Sequence, residues 1–350
     1  MDFTLELYKY LFEMLQSQRY KIIRFDDSFS CTGYINRSKT TILRHDVDLL
    51  PHNALAMAQL EHDLGIRGTY YFRIVPESFD AGIIERIAAM GHEIGYHYED
   101  VDLVVKRQKA NGRGQRSVGG VRIGESEYRC IGDMEKRAES EILKPAKQTA
   151  GRPETWNLEP ETDNRQPTTD LIDRAMESFL KNLDTMRNIA DIKTICMHGS
   201  PMSKYDNRLL WTKYDYRDYG IIGEPYFDVD FSQIAYYTDT GRRWDGDSVS
   251  VRDKVVLGGR SEVRGDRENR STGVSEKRRT DNRQPTTDNL FPKFRTTHEM
   301  IRAIEENRFP RKAMITIHPQ RWHDRAVPWV KELVWQRCKN LVKRVVVAVR

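Results

Sequence analysis

Apolar residues along the first hundred positions recur in two alternating rhythms. Short runs rich in β-branched and aromatic residues, KIIRF (21–25), TTILRH (40–45), GTYYFRI (68–74) and HEIGYHY (92–98), read as strands. Between them, ALAMAQLEHDLG (54–65) and AGIIERIAAMG (81–91) carry apolar residues at helical spacing. Each stops at a glycine, Gly65 or Gly91, the residue that best leaves a helix through a left-handed backbone. The opening MDFTLELYKYLFEML reads as an amphipathic helix. Strand–helix alternation predicts an α/β fold with a parallel sheet and helical crossovers. After an interruption, the rhythm resumes with a helix over 171–190, a strand over 191–198 and the run FSQIAYYTD, which ends at Asp239. A helix over 297–307 with Thr297 as N-cap, a strand KAMITIH (312–318) and a long closing helix over 327–345 complete the pattern.

The rhythm fails twice, at about 107–169 and 258–289, where aliphatic residues give way to Gly, Arg, Glu, Gln and Pro. The string TDNRQPTTD closes both stretches, at 162–170 and again at 280–288. Two copies are too few for a solenoid. The expectation is one domain over 1–350, interrupted by two disordered insertions in surface connections; a peptide-binding or regulatory role for them is the alternative. The insertions also account for a composition of 38% hydrophobic and 31% charged residues, polar for a chain of 350 residues.

A formal net charge of +5, dispersed along the chain, is too diffuse for a nucleic-acid footprint, so a nucleic-acid partner is not expected. Cys31, Cys130, Cys196 and Cys338 are far apart and form no CxxC pair, which argues against a disulfide framework or a cysteine zinc site. The acidic opening lacks the character of a signal peptide, and no apolar run approaches the roughly 20 residues that span a bilayer. These features predict a soluble, cytoplasmic protein with no membrane partner.

Candidate chemistry collects where the apolar runs end. TTILRH leads into Asp46 and Asp48, GTYYF into Arg73, HEIGY into His97 with Glu99 and Asp100 after it, DIKTICM into His198, and KAMITI into His318 and Arg321. In sheets of parallel strands this end carries the active site. Asp46 and Asp48 would each serve as a helix N-cap taken alone. Two apart on a strand, however, their carboxylates share one side and need a cation or a proton between them. His97 lies at a strand exit and is the better ligand. His92, an odd number of residues away at the strand entry, reads as structural. His52 and His62 fall on the first crossover helix and read as surface residues; His323 is a weaker candidate than His318. Arg44, His45, Arg73, Glu99, Trp211 and Arg321 are candidate substrate contacts. Trp211 heads the aromatic stretch WTKYDYRDYG, a packed loop or a platform for a sugar ring.

LRHDVD, then GTYYFR, then GHEIGYH and late ITIHP together resemble the NodB-type polysaccharide deacetylases, in order and over most of the patterned sequence. The resemblance implies an irregular (β/α) barrel of about seven parallel strands. It also implies a divalent metal, commonly zinc, held by one Asp and two His. By that likeness Asp46 is the general base, Asp48 and His97 are metal ligands, and His318 is the general acid. The family's second metal histidine lies one helical turn after the first, where this chain has Val101. The third ligand must then come from elsewhere: His198, at another strand exit, is the first choice and Glu99 the second. The implied activity is hydrolysis of an acyl group from an amino sugar or related amide. The alternative is a catalytically altered barrel that binds a sugar or nucleotide-sugar without cleaving it. Nucleic-acid binding by the arginine-rich insertions ranks last.

Overall fold

The structure, a computed structural model, describes residues 1–30, 38–114, 169–199, 203, 205–245 and 291–349. The chain divides into two compact units, Met1–Val105 with Thr169–Arg350, and Lys106–Thr168. The first carries the sheet. Of the second, residues 106–114 belong to a helix that begins at Asp100, and the remainder lies outside the described residues. The second predicted insertion, both copies of the repeat apart from 169–170, and Cys31 and Cys130 also fall outside them.

Among the described residues, seven strands form one sheet: β1 (Lys21–Ile23), β2 (Thr40–Val47), β3 (Thr69–Phe72), β4 (Glu93–Tyr98), β5 (Ile195–Met197), β6 (Ala235–Thr238) and β7 (Lys312–Ile317). Their order is β5-β4-β3-β2-β7-β6, with β1 also on β2, and every pair is parallel. The sheet curls into a half-barrel. All eight residues of β2 are buried, as expected of a central parallel strand. One edge of β2 carries β7 along Thr40–His45. The other is shared, β1 pairing Thr40–Ile42 and β3 pairing Arg44–Val47.

Alternation along β2 sorts its side chains. Ile42 points inward, where it packs with Ile23, Tyr71, Cys196 and Met314. Arg44 and Asp46 follow on the same side. Leu43 and Val47 point outward into two larger clusters beneath the helices. Helix Leu5–Ser17 buries Tyr8, Leu11, Phe12 and Leu15, an i, i+3, i+4, i+7 stripe. Helices Pro51–Asp63 and Ala81–Ala89 end ahead of Gly65 (φ +69°) and Gly91 (φ +87°), where the sequence places their stops.

Local hydrogen bonds trim the expected elements. β1 stops short of Phe25 because the Phe25 N–H leaves the ladder for Thr69 Oγ1 (2.7 Å). β5 covers only three residues of the run 191–198; Thr194, just before it, bridges to Gly223. The N-cap of helix Thr297–Glu305 is Thr296, whose side chain accepts from Glu299 N, one residue before the expected Thr297. Thr297 Oγ1 instead accepts from Trp244 Nε1 (3.0 Å). No helix of the described residues is long and apolar enough to cross a membrane.

Candidate metal centre

Because the strands are parallel, their exits lie at one end of the half-barrel. Asp46 is the penultimate residue of β2 and Asp48 follows its end. His97 is near the end of β4, while His198, Asp239 and His318 directly follow β5, β6 and β7.

Three of these side chains converge. Asp48 Oδ1 lies 3.2 Å from His198 Nδ1 and 3.5 Å from His97 Nε2. The two imidazole nitrogens are 3.3 Å apart. Ligand atoms about 2.0–2.1 Å from a tetrahedral ion stand about 3.3 Å from one another, so these atoms outline one face of such a site. The register supports this: His97 pairs with Cys196 across β4 and β5, which brings the residue after β5 beside it. His97 Nδ1 lies 2.9 Å from the Cys196 carbonyl. A carbonyl only accepts, so Nδ1 carries the proton and Nε2 keeps its lone pair for the site. Asp48 Oδ2 accepts from Gln320 Nε2 (3.1 Å), whereas Oδ1 is buried without a hydrogen bond. Such an oxygen is open to a cation. Burial pushes the Asp48 carboxyl up, but His198, His97 and His318 outweigh it and hold the group well below the ordinary range.

A second group, Asp46, His97 and Cys196, lies near and shares His97. It is the poorer candidate because Arg44 occupies both Asp46 oxygens, Nε to Oδ1 at 2.8 Å and Nη2 to Oδ2 at 2.6 Å. Arg44 is fully buried, lies over the rings of Tyr71 and Tyr226, and has no hydrogen bond at Nη1. Burial raises the Asp46 carboxyl, but Arg44 and His97 outweigh this and bring it below its ordinary value. Asp46 Oδ2 is 4.0 Å from His97 Nε2, next to the three-ligand face.

His318 closes the other side. Its Nδ1 lies 2.6 Å from Asp239 Oδ1, and its backbone N–H donates to Asp239 Oδ2 (3.0 Å). Asp239 is buried; Arg321 and His318 override the effect of burial and lower its pKa, so it is ionised and accepts. Arg321 Nη1 lies 2.9 Å from the same Nδ1, so Asp239 and Arg321 together fix the ring, and Nε2 faces the centre, 3.9 Å from Asp48 Oδ2. Trp322 Nε1 (2.8 Å) and Arg321 Nη1 (2.5 Å) also donate to Asp239.

The other sequence candidates are placed around or away from this centre. Arg73 donates to Glu99 (2.8 and 2.5 Å) and to the Asp48 carbonyl (3.0 Å), so the pair braces the segment carrying Asp48. Glu99, the second choice for third ligand, is thus engaged elsewhere. Val101 is core, 1% exposed. Arg321 is buried on Asp239. His45 points outward, stacked on Tyr70 and 2.9 Å from both Tyr8 Oη and Glu61 Oε1. Trp211 is a packed-loop residue: its Nε1 donates to Tyr98 Oη (2.8 Å), and its ring meets Phe179, Tyr98 and Tyr216 edge-on. His92 is structural: Gly68 N at 3.1 Å and Ala58 O at 3.0 Å hold it, with Glu61 Oε2 3.5 Å from its Nδ1 and Tyr70 edge-on to its ring. His52 and His62 are exposed, and His323 Nε2 bonds the Gln320 carbonyl.

Asp239 is visible in the sequence as a strand exit, but its partnership with His318 follows only from β6 pairing with β7. Gln320, within HPQRW, gives no signal of its own. No protein-family model, curated protein or solved structure matches this chain.

Proposed function

We propose that this chain is a divalent-metal hydrolase that removes an acyl group from an amino sugar or related amide, built on a NodB-type deacetylase fold. The observation that carries the proposal is the triangle of Asp48 Oδ1, His97 Nε2 and His198 Nδ1, with 3.2–3.5 Å sides and a buried oxygen lacking a hydrogen bond. A zinc-like ion there supplies Lewis acidity and a water of lowered pKa. Asp46, kept ionised and fixed by Arg44, accepts the proton of the attacking water through a lone pair that Arg44 leaves open. His318 donates from Nε2 to the departing nitrogen, while Asp239 orients the ring through Nδ1. Water adds to the acyl carbon, the C–N bond breaks, and the products are a carboxylate and an amine.

Val101, in the place of the family's second metal histidine, favours a second reading: a sugar-binding barrel without hydrolysis. Metal analysis of the purified full chain beside Asp48→Ala and His97→Ala, with acetate release from N-acetylated amino sugars, tests both. Near-stoichiometric metal lost in both variants, with acetate released only by the parent, supports the hydrolase. Metal without acetate release across the panel favours the binding barrel, and no metal after reconstitution refutes the centre.

A further inference from the structure

Beyond the loop after β6, a cavity of about 590 Å³ opens beside the first residues of the chain and the start of helix Ala326–Val349. Four arginines line it, Arg242, Arg243, Arg295 and Arg337, against one carboxylate, Asp2. None of the strand-exit groups of the metal centre belongs to it. Asp2 is already engaged: its two oxygens accept from Phe3 N (2.9 Å) and Thr297 N (3.2 Å). Arg243 is neutralised by a two-pronged pair with Asp245 (2.7 and 2.6 Å).

Arg242 is different. It is 7% exposed, and its guanidinium sits between the rings of Phe3 (5.1 Å) and Trp329 (4.9 Å). Its Nη groups donate only to the carbonyls of Arg321 (3.3 Å) and Asp2 (3.2 Å), and Nε is buried without a hydrogen bond. Among the described residues it makes no ion pair. Burial therefore lowers its pKa, and Glu332 and Asp2 offset this only in part. The residue also holds a left-handed backbone, φ +58°, unfavourable for a side chain of this kind. A buried, uncompensated guanidinium is costly unless an anion joins it. Arg295 and Arg337 stand exposed at the same cavity and make no ion pair among the described residues.

We propose that this cavity binds a phosphate-bearing small molecule, its phosphoryl group held by Arg242, Arg295 and Arg337. Guanidinium forks match phosphate oxygens in geometry, and three of them suit a dianion better than a single carboxylate. Trp329 offers an aromatic wall for the rest of the ligand. The site is independent of the metal reading, and its test works on metal-free protein.

Inorganic phosphate, and separately a simple phosphate monoester, are titrated into the full chain with a chelator present, followed by calorimetry and tryptophan fluorescence. The expected result is saturable binding of both, with acetate at equal ionic strength failing to compete. The Arg295→Gln, Arg337→Gln double variant, changed only at exposed positions, weakens binding roughly tenfold or more. Tighter binding of the ester than of free phosphate assigns the ligand to an organic phosphate, and the reverse to the free ion. Absence of saturable binding, or an unchanged Kd in the double variant, overturns the proposal.

Discussion

Replacing His198 with Ala removes one corner of the Asp48–His97–His198 triangle and leaves two ligands. The outer partners of a metal site are each worth a factor of about 10–100 in affinity, so loss of a direct ligand weakens binding by at least about 100-fold. At zinc held at about 100 times the parental Kd, binding stabilises the parent by about 2.7 kcal/mol. A 100-fold weaker variant at the same zinc gains only about 0.4 kcal/mol. The difference, about 2.3 kcal/mol, corresponds to about 5–9 °C in Tm at roughly 2–4 °C per kcal/mol for a large domain. His198 is only partly buried, so its truncation costs little by itself. The assay is thermal unfolding of both proteins, each with chelator and with zinc. His62→Ala, on an exposed residue of helix Pro51–Asp63, serves as control and keeps the full parental shift. An equal zinc-dependent shift in parent and His198→Ala refutes the assignment of His198, and no shift in the parent refutes the centre.

Three further outcomes follow from the same geometry. Asp46→Ala strands the fully buried Arg44 guanidinium and costs about 3–5 kcal/mol in urea unfolding, a loss that Arg44→Met in the same chain partly reverses. Burial raises the Asp100 carboxyl to about 6, against Tyr96, Ser178 and Asn182, which donate to it. The folded state then binds the proton more tightly than the unfolded one. Stability from this group is full below about pH 4 and declines by about 3 kcal/mol as pH rises through 6. Asp100→Asn flattens that slope in urea midpoints taken between pH 4 and 7. Gly95→Ala puts a Cβ 2.3 Å from Cε1 of buried Tyr71 and 3.0 Å from the Thr194 carbonyl, costing at least about 1–3 kcal/mol by denaturant unfolding.

Much of this was legible along the chain, because strand and helix periods are local properties and parallel strands share one exit. Reading each apolar run to its end was enough to nominate Asp46, Asp48, His97, His198 and His318. Alternation also separates neighbours: Asp46 faces inward, while His45, one residue earlier, stacks outward on Tyr70. What the sequence left open were the choices between partners distant in the chain. Glu99 and His198 were both available as third ligand. Pairing of β4 with β5 sets His198 beside His97, and Arg73 draws Glu99 behind Asp48. The aromatic stretch around Trp211 has the composition of either a packed loop or a sugar platform; the edge-on contacts of Trp211 with Phe179 and Tyr98 come from remote elements. Asp239 behind His318, and Arg242 left without a carboxylate, likewise depend on which strands and loops become neighbours. Periodicity names the residues that reach the end of the half-barrel; tertiary packing decides which of them meet, because a charge is paired or stranded by what folds against it from elsewhere in the chain.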